Sequence, residues 1–315
     1  MNPLVILTGP TAVGKTSLSL KLAKKIGGEI ISADSMQVYR HMDIGTAKLK
    51  PDEMQGIRHH MIDILEPTEE FHVAAFGKIA KASVKEVCER GSVPIITGGT
   101  GFYIQALLYD IDFTDANFAN KDDTYRNTLT ALASEKGLAH LHAMLKEIDP
   151  EAAANIHENN QKRVIRALEF FHQTKSPISL HNENEKKRTS PYNFAYFVLV
   201  DEREKIYESI NQRVDEMIAS GLIDEVFKLR ANGLKRKMVS MQGLGYKEIL
   251  AYLDGEMSKE DAIILLKRDT RRFAKRQMTW FRREREVIWL NKPDYQDEEE
   301  MIAEMVKQLR IKEII

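Results

Sequence analysis

Residues 4–7 form a short, continuous apolar run, as expected of a strand covered on both faces. A glycine-rich segment, residues 9–16, follows it. Leu18, Leu22 and Ile26 then recur at intervals of four, the stripe of a helix packed on a sheet. Gly27-Gly28 stops that helix, and residues 29–33 read as a second strand ending at Asp34. Residues 93–97 give another buried strand, followed by Gly98-Gly99-Thr100-Gly101 and an apolar helix through Leu108. Strands alternating with helices predict an α/β fold, with a parallel sheet and helices on both faces.

The pattern changes after about Asp112. Residues 113–190 hold no strand-like run but several helical stretches, such as 129–133 and 163–171. Polar flanks, 112–123 and 182–190, bound this part, which reads as an all-helical insertion within the α/β core. Residues 194–200 return as a core strand, and from Ile206 the chain reads as helical through Val214, Met217, Ile218, Ile223, Val226 and Phe227. The expected division is a core of residues 1–112 and 191–290, an insertion of residues 113–190, and a tail of residues 291–315. The tail, acidic around residues 297–300, is expected to form a surface helix.

Composition narrows the class. Across 315 residues, 43% are hydrophobic and 30% charged, enough to bury a sizeable core and unlike a disordered chain. Lys and Arg number 46 against 47 Asp and Glu, so a globally basic nucleic-acid coat is excluded while a local basic face is not. The single cysteine, Cys88, excludes an intramolecular disulfide and a multi-cysteine zinc site. Four consecutive apolar residues before Thr8 are too few for a signal peptide. The longest later run, 194–200, falls far short of the ~20 residues of a membrane span. A soluble, cytoplasmic protein is expected, and no membrane partner.

Gly9-Pro10-Thr11-Ala12-Val13-Gly14-Lys15-Thr16 fits the G-x-x-x-x-G-K-[ST] pattern between a strand and a helix. Glycines let backbone N–H groups curl around phosphate oxygens, and the following helix points its positive end at the anion. Lys15 supplies a mobile charge, and the Thr16 hydroxyl is placed to bind Mg²⁺. The loop specifies a diphosphate or triphosphate with magnesium, without specifying ATP. Asp34 sits at the carboxyl end of a neighbouring strand, where ligands of open α/β sheets bind. A helix N-cap is the other reading of Asp34. The hydrogen-bonding, sulfur and aromatic groups of Asp34-Ser35-Met36-Gln37-Val38-Tyr39 favour a functional role.

Residues 266–286 concentrate Lys267, Arg268, Arg271, Arg272, Lys275, Arg276, Arg282, Arg283 and Arg285 against Asp269, Glu284 and Glu286. Gln161-Lys162-Arg163 with Arg166 forms a second patch in the helical insertion. Two basic patches in a chain of net charge -1 point to a polyanionic partner. The pairs His59-His60 and His140/His142 lack cysteines at ligand spacing, so they read as satisfied or surface histidines. No G-x-S-x-G hydrolase elbow occurs.

Residues 9–16 (GPTAVGKT), 34–48 (DSMQVYRHMDIGTAK) and 95–108 (IITGGTGFYIQALL) form one group of motifs. Residues 147–169 (EIDPEAAANIHENNQKRVIRALE), 213–226 (RVDEMIASGLIDEV), 243–250 (GLGYKEIL) and 270–281 (TRRFAKRQMTWF) extend them over nearly the whole length. Together they resemble the bacterial form of the tRNA isopentenyltransferase, or tRNA dimethylallyltransferase, family. That family transfers a dimethylallyl group from dimethylallyl diphosphate to N6 of adenosine 37, beside the tRNA anticodon. Its fold is a phosphate-loop α/β core with a helical insertion.

The resemblance implies tRNA and dimethylallyl diphosphate as partners, and a monomer is expected. It puts Arg213 on the same phosphates as Gly14, Lys15 and Thr16. Thr100 and Asp34 would orient the adenine amine, with Asp34 as general base, and Ser35, Met36 and Gln37 would line the nucleotide pocket. Contacts to tRNA are implied for Arg126, for Gln161, Lys162, Arg163, Val164, Ile165 and Arg166, and for Ser240, Met241, Gln242, Gly243, Leu244 and Gly245. They are implied again for Arg272, Lys275, Arg276, Gln277, Trp280 and Arg282. The chain departs from the family in having no proline in residues 109–126, and it lacks the cysteines of the eukaryotic zinc-finger form. Two other readings compete: a phosphate-loop kinase of a small metabolite, with Asp34 accepting a hydroxyl proton, and a non-catalytic RNA-binding nucleotide switch.

Overall fold

The computed structural model describes residues 1–111 and 123–315; the polar flank of residues 112–123 therefore lies, except for Asp123, outside the described residues. The chain divides into two compact units. One comprises Met1–Leu107 with Pro191–Ile315, and the other Leu108–Ser190.

In chain order the first unit begins β1 (Asn2–Thr8), α1 (Lys15–Ile26), β2 (Gly28–Ser32), β3 (His59–His60), α2 (Val73–Glu89), β4 (Val93–Gly98) and α3 (Gly101–Leu108). The second unit contributes α4 (Asp123–Lys136), α5 (Leu138–Ile148), α6 (Pro150–Asn155), α7 (Gln161–Thr174) and α8 (Ile178–Lys186). The first unit resumes with β5 (Tyr192–Val200), α9 (Arg203–Ala219), α10 (Leu222–Ala231), α11 (Tyr246–Leu253), α12 (Lys259–Phe281), β6 (Val287–Asn291) and α13 (Glu298–Ile311).

The six strands form one sheet in the order β3-β2-β4-β1-β5-β6, and every pairing is parallel. β1 is central, in register Thr8↔Gly98 with β4 and Leu7↔Phe197 with β5. Side chains alternate across the sheet. Val5 and Leu7 join one buried cluster with Leu18 and Leu22 of α1 and Met301, Met305 and Leu309 of α13. Leu4 and Ile6, on the opposite face, are equally buried, and α2 packs on β1, β2 and β4. The apolar runs without polar alternation are thus explained by burial on both faces.

Two elements differ from the sequence expectation. β6 falls where no strand was expected, because its four consecutive apolar residues, 287–290, carry no periodicity that separates strand from helix. The C-terminal helix is not a surface tail: Met301, Ile302, Met305, Val306 and Leu309 are buried in the core cluster, and only its opposite face is acidic and exposed. Lys21 holds it at Glu298, 2.9 Å away, and the Ser17 hydroxyl donates to Glu298.

The helical unit has its own core of Leu129, Leu141, Leu145, Val164, Ile165, Ala167 and Leu168. Asp149, 2% exposed, accepts from the Ala152 N–H at the start of α6 and from the Ser179 hydroxyl and N–H of α8. A buried carboxylate therefore ties three helices together, with its charge met by hydrogen bonds.

Candidate active site

In a parallel sheet every strand delivers its carboxyl end to the same edge. Here β1 runs into the phosphate loop, β2 into Ala33 and Asp34, and β4 into Gly99 and Thr100. These three exits are bonded to one another. The Ala33 N–H donates to the Thr97 carbonyl (2.7 Å), the Thr100 N–H to the Ala33 carbonyl (3.3 Å), and the Thr8 hydroxyl to the Gly98 carbonyl (2.6 Å).

Two glycines shape the phosphate loop. Gly9 has φ 151° and lies so close to the Leu199 carbonyl that a Cβ there would collide with it. Gly14, with φ 100°, caps α1 in a left-handed conformation that side chains rarely adopt. Lys15 opens α1, and its Nζ folds back to donate to the carbonyls of Gly9 (3.0 Å) and Pro10 (2.8 Å). Burial, then the charge of Arg213, push the Lys15 ammonium down to about 7, with Asp34 acting in the opposite sense. The neighbouring Thr16 side chain is exposed.

A cavity of about 390 Å³ opens beside this loop, and Thr11, Asp34, Ser35, Met36, Thr100 and Arg213 all line it. Asp34 Oδ1 accepts from the Met36 N–H (2.8 Å) and the Gln37 N–H (3.4 Å), so one oxygen serves as the cap of this turn. Its Oδ2 takes no hydrogen bond from the described residues. The two readings of Asp34 are therefore compatible: one oxygen builds the turn and the other remains open to the cavity.

Arg213 reaches the cavity from α9. Its guanidinium has no hydrogen-bonded or salt-bridged partner among the described residues, and burial lowers its affinity for the proton while Asp34 raises it. Arg213 and Asp34 thus line one hollow, while Lys15 lies close enough that it and Arg213 disfavour each other's charge and Asp34 favours both. A further anion at this place would favour both charged forms. Ile210, Val214 and Met217 of α9, with Leu266 and Phe273 of α12, complete an apolar wall. The α9 members stand at helical spacing about Arg213, a signal available once that helix is placed.

Several residues implied by resemblance sit elsewhere. The Gln37 amide is held by the Ser32 hydroxyl (3.0 Å) and donates to the Thr46 carbonyl (3.2 Å), so it supports the loop rather than lining the cavity. Ser240 and Met241 are fully buried, with the Ser240 hydroxyl spent on the Pro67 carbonyl. Their side chains are enclosed, whereas Gln242, Gly243 and Leu244 line the cavity. Val164 and Ile165 belong to the core of the helical unit. Gln277 does border the cavity, but it is 5% exposed and both ends of its amide are bonded to backbone.

The outer face of α12 keeps its charge. Arg272, Lys275, Arg276 and Arg282 are exposed, and Trp280 packs edge-on against Phe102 at 6.0 Å. In the helical unit, Lys162 and Arg163 are exposed and Gln161 and Arg166 half-buried. Arg126 binds Glu169 through two bonds of 2.7 Å. The histidines are satisfied: His60 meets Glu29 at 2.7 Å, and His142 the carbonyls of Ala153 and Ile156. Among the described residues no group of three or more His, Cys, Asp or Glu could hold a metal, and no helix is long and apolar enough to cross a membrane.

A glycine-shaped loop between a strand and a helix, at the carboxyl edge of a six-stranded parallel sheet, defines a P-loop-type α/β core. The family model described as IPP transferase matches residues 37–284. A tRNA dimethylallyltransferase of Lachnoclostridium phytofermentans is 60% identical over 100% of both chains. The crystal structure of a tRNA isopentenylpyrophosphate transferase from Bacillus halodurans aligns with a TM-score of 0.74 at 45% identity, covering 99% of this chain and 97% of that one. A eukaryotic dimethylallyltransferase acting on tRNA aligns at 0.81 with 27% identity, covering 99% and 80%. This chain belongs to the IPP transferase family and is a prenyltransferase.

Proposed function

We propose that this enzyme transfers a dimethylallyl group from dimethylallyl diphosphate to N6 of adenosine 37 in tRNA, giving N6-dimethylallyladenosine and diphosphate. The observation that carries the reading is Arg213, without a bonded partner among the described residues, lining one cavity with Asp34 beside the loop onto which Lys15 folds. The dimethylallyl chemistry and the tRNA acceptor come from the named relatives.

The diphosphate lies at the phosphate loop, where Lys15 and Arg213 neutralise it. Its short hydrocarbon tail lies against Ile210, Val214 and Met217. Breaking the allylic C–O bond moves an electron pair onto the diphosphate, and preorganised cations act where that charge develops. The adenine enters as an extruded base of a single-stranded loop, which costs less than extrusion from a duplex. Its N6 forms the new C–N bond and becomes cationic, and Asp34 Oδ2 then accepts the surplus proton. Timing matters here, because a neutral adenine amine does not yield its proton to an ordinary carboxylate beforehand. Thr100, beside Asp34, orients the amine.

Thr16 fits Mg²⁺ as a single protein ligand. Its hydroxyl is exposed beside the loop without a partner among the described residues, and Mg²⁺ takes its remaining oxygens from phosphate and water. The ion would add positive charge on the leaving group. Arg272, Lys275, Arg276 and Arg282 hold the RNA backbone, as do Lys162 and Arg163. Mass spectrometry of tRNA nucleosides, after incubation with the enzyme, Mg²⁺ and dimethylallyl diphosphate, tests the reaction. The expected result is an adenosine heavier by one dimethylallyl group at position 37. Its absence, or ADP release from ATP without RNA, would replace the reading with a kinase.

A further inference from the structure

Gln277 lies on α12, the helix whose outer face carries Lys275 and Arg276, yet its own side chain points inward and is 5% exposed. Its Oε1 accepts the Thr11 N–H at 2.9 Å, and its Nε2 donates to the Gly99 carbonyl at 2.9 Å. The two partners belong to different loops. Thr11 is part of the phosphate loop after β1, and Gly99 adjoins Thr100 after β4.

One planar group therefore supplies an acceptor to one loop and a donor to the other. A backbone N–H can only donate and a carbonyl can only accept, so the orientation of the amide is fixed by its partners. Space has been cleared for it: a Cβ on Gly99 would collide with Gln277 Nε2. The same bond takes the Thr11 N–H out of the set that can meet a phosphate, leaving that part of the loop with a fixed shape. A displacement joins two reacting atoms held at opposite ends of the cavity, and an error of about 1 Å in their placement can cost on the order of 10²-fold in rate.

We propose that Gln277 is a positioning residue that sets the separation between the phosphate loop and the Thr100–Asp34 end of the cavity, and ties it to the RNA-facing helix. This rests on the transfer reaction proposed above. Gln277 touches no reacting atom; it acts through Thr11 and Gly99.

Single-turnover transfer to tRNA would be measured for the parent, Gln277→Met and Gln277→Glu, alongside calorimetric binding of inorganic pyrophosphate. Gln277→Met keeps the bulk and removes both hydrogen bonds. Its rate should fall about tenfold or more at saturating tRNA, with KM for tRNA little changed and pyrophosphate bound more weakly. In Gln277→Glu the ionised carboxylate cannot donate to the Gly99 carbonyl, but the protonated form can. The ratio of its rate to the parent's should therefore rise as pH falls, which loss of packing alone would not produce. The proposal is overturned if Gln277→Met transfers within about threefold of the parent, or if its loss lies wholly in KM for tRNA. It is overturned equally if the Gln277→Glu ratio is flat with pH. A parent that modifies no tRNA, while Gln277→Met still binds pyrophosphate more weakly, would remove the reaction and leave the clamp standing.

Discussion

Arg213 and Arg126 occupy opposite electrical circumstances. Arg126, in the helical unit, is closed onto buried Glu169 by two bonds of 2.7 Å, so each charge answers the other. Arg213, in the α/β unit, is half-buried near a second cation and has no bonded partner among the described residues. Both arginines were picked out of the sequence as functional, but they spend their charge differently. The first is largely used within its own unit, where it neutralises a carboxylate that could not otherwise be buried. The second has no bonded partner among the described residues and is favoured only through space, by Asp34 and Glu216. The proposed reaction would supply the diphosphate that it lacks.

The contrast can be broken most sharply at Arg213. Arg213→Ala should lower kcat by about 10²–10³-fold, the range for losing one preorganised donor to developing charge. The Tm of the ligand-free protein should hold or rise, because a half-buried charge without a bonded partner is removed. A large fall in Tm would show that Arg213 is architectural after all. Asp34→Asn should reduce single-turnover transfer by about 10²-fold or more while tRNA binding persists. A near-parental rate would leave Asp34 as a turn cap only.

Lys15 sharpens the comparison through pH. Its ammonium is depressed to about 7, and an anion favours the charged form. Affinity for the diphosphate should be full below about pH 7 and fall above it, by at most about tenfold per unit. The ratio of parent to Lys15→Met affinities, followed by calorimetry, cancels titration of the ligand, and a flat ratio would contradict the depressed lysine. At Arg126 the expectation inverts. Arg126→Ala leaves Glu169 without its main partner and should destabilise by about 1–3 kcal/mol, seen as a Tm several degrees lower. Binding of dimethylallyl diphosphate should be unchanged. The smallest effect belongs to the exposed charges of α12. Arg272→Ala with Arg276→Ala should flatten the log–log salt dependence of tRNA binding by about one per lost contact. An unchanged slope would take this face out of the RNA interface.

The phosphate loop and the strand ends around it were legible because they depend on local features: glycine placement, apolar runs and one invariant geometric edge of a parallel sheet. The Asp34 turn and Arg213 could be named, but not their electrical state, which depends on burial by distant elements. Gln277 is implied by the sequence only as a tRNA contact on a basic helix. Its role rests on bonds to Thr11 and Gly99, each far away in sequence. Ser240 and Gln37 show the same dependence on distant partners, since their side chains are hydrogen-bonded to neighbouring backbone and side chains that the motifs do not reveal. β6 and α13 escaped because a short edge strand and an acid-capped helix reveal their buried sides only when the sheet is assembled.

The central place of β1 also bears on how the protein is made. The strand that ends in the phosphate loop pairs with β4 and β5, and β5 begins only at Tyr192. At about 5–20 residues per second, on the order of ten to forty seconds separate the synthesis of β1 from that of β5. Through that interval the loop lacks the Leu199 carbonyl against which Gly9 packs, and it lacks Arg213 and Gln277 altogether. A nascent chain on the ribosome therefore carries the most recognisable motif of the protein from the outset, and completes the cavity beside it only when nearly the last helix has emerged.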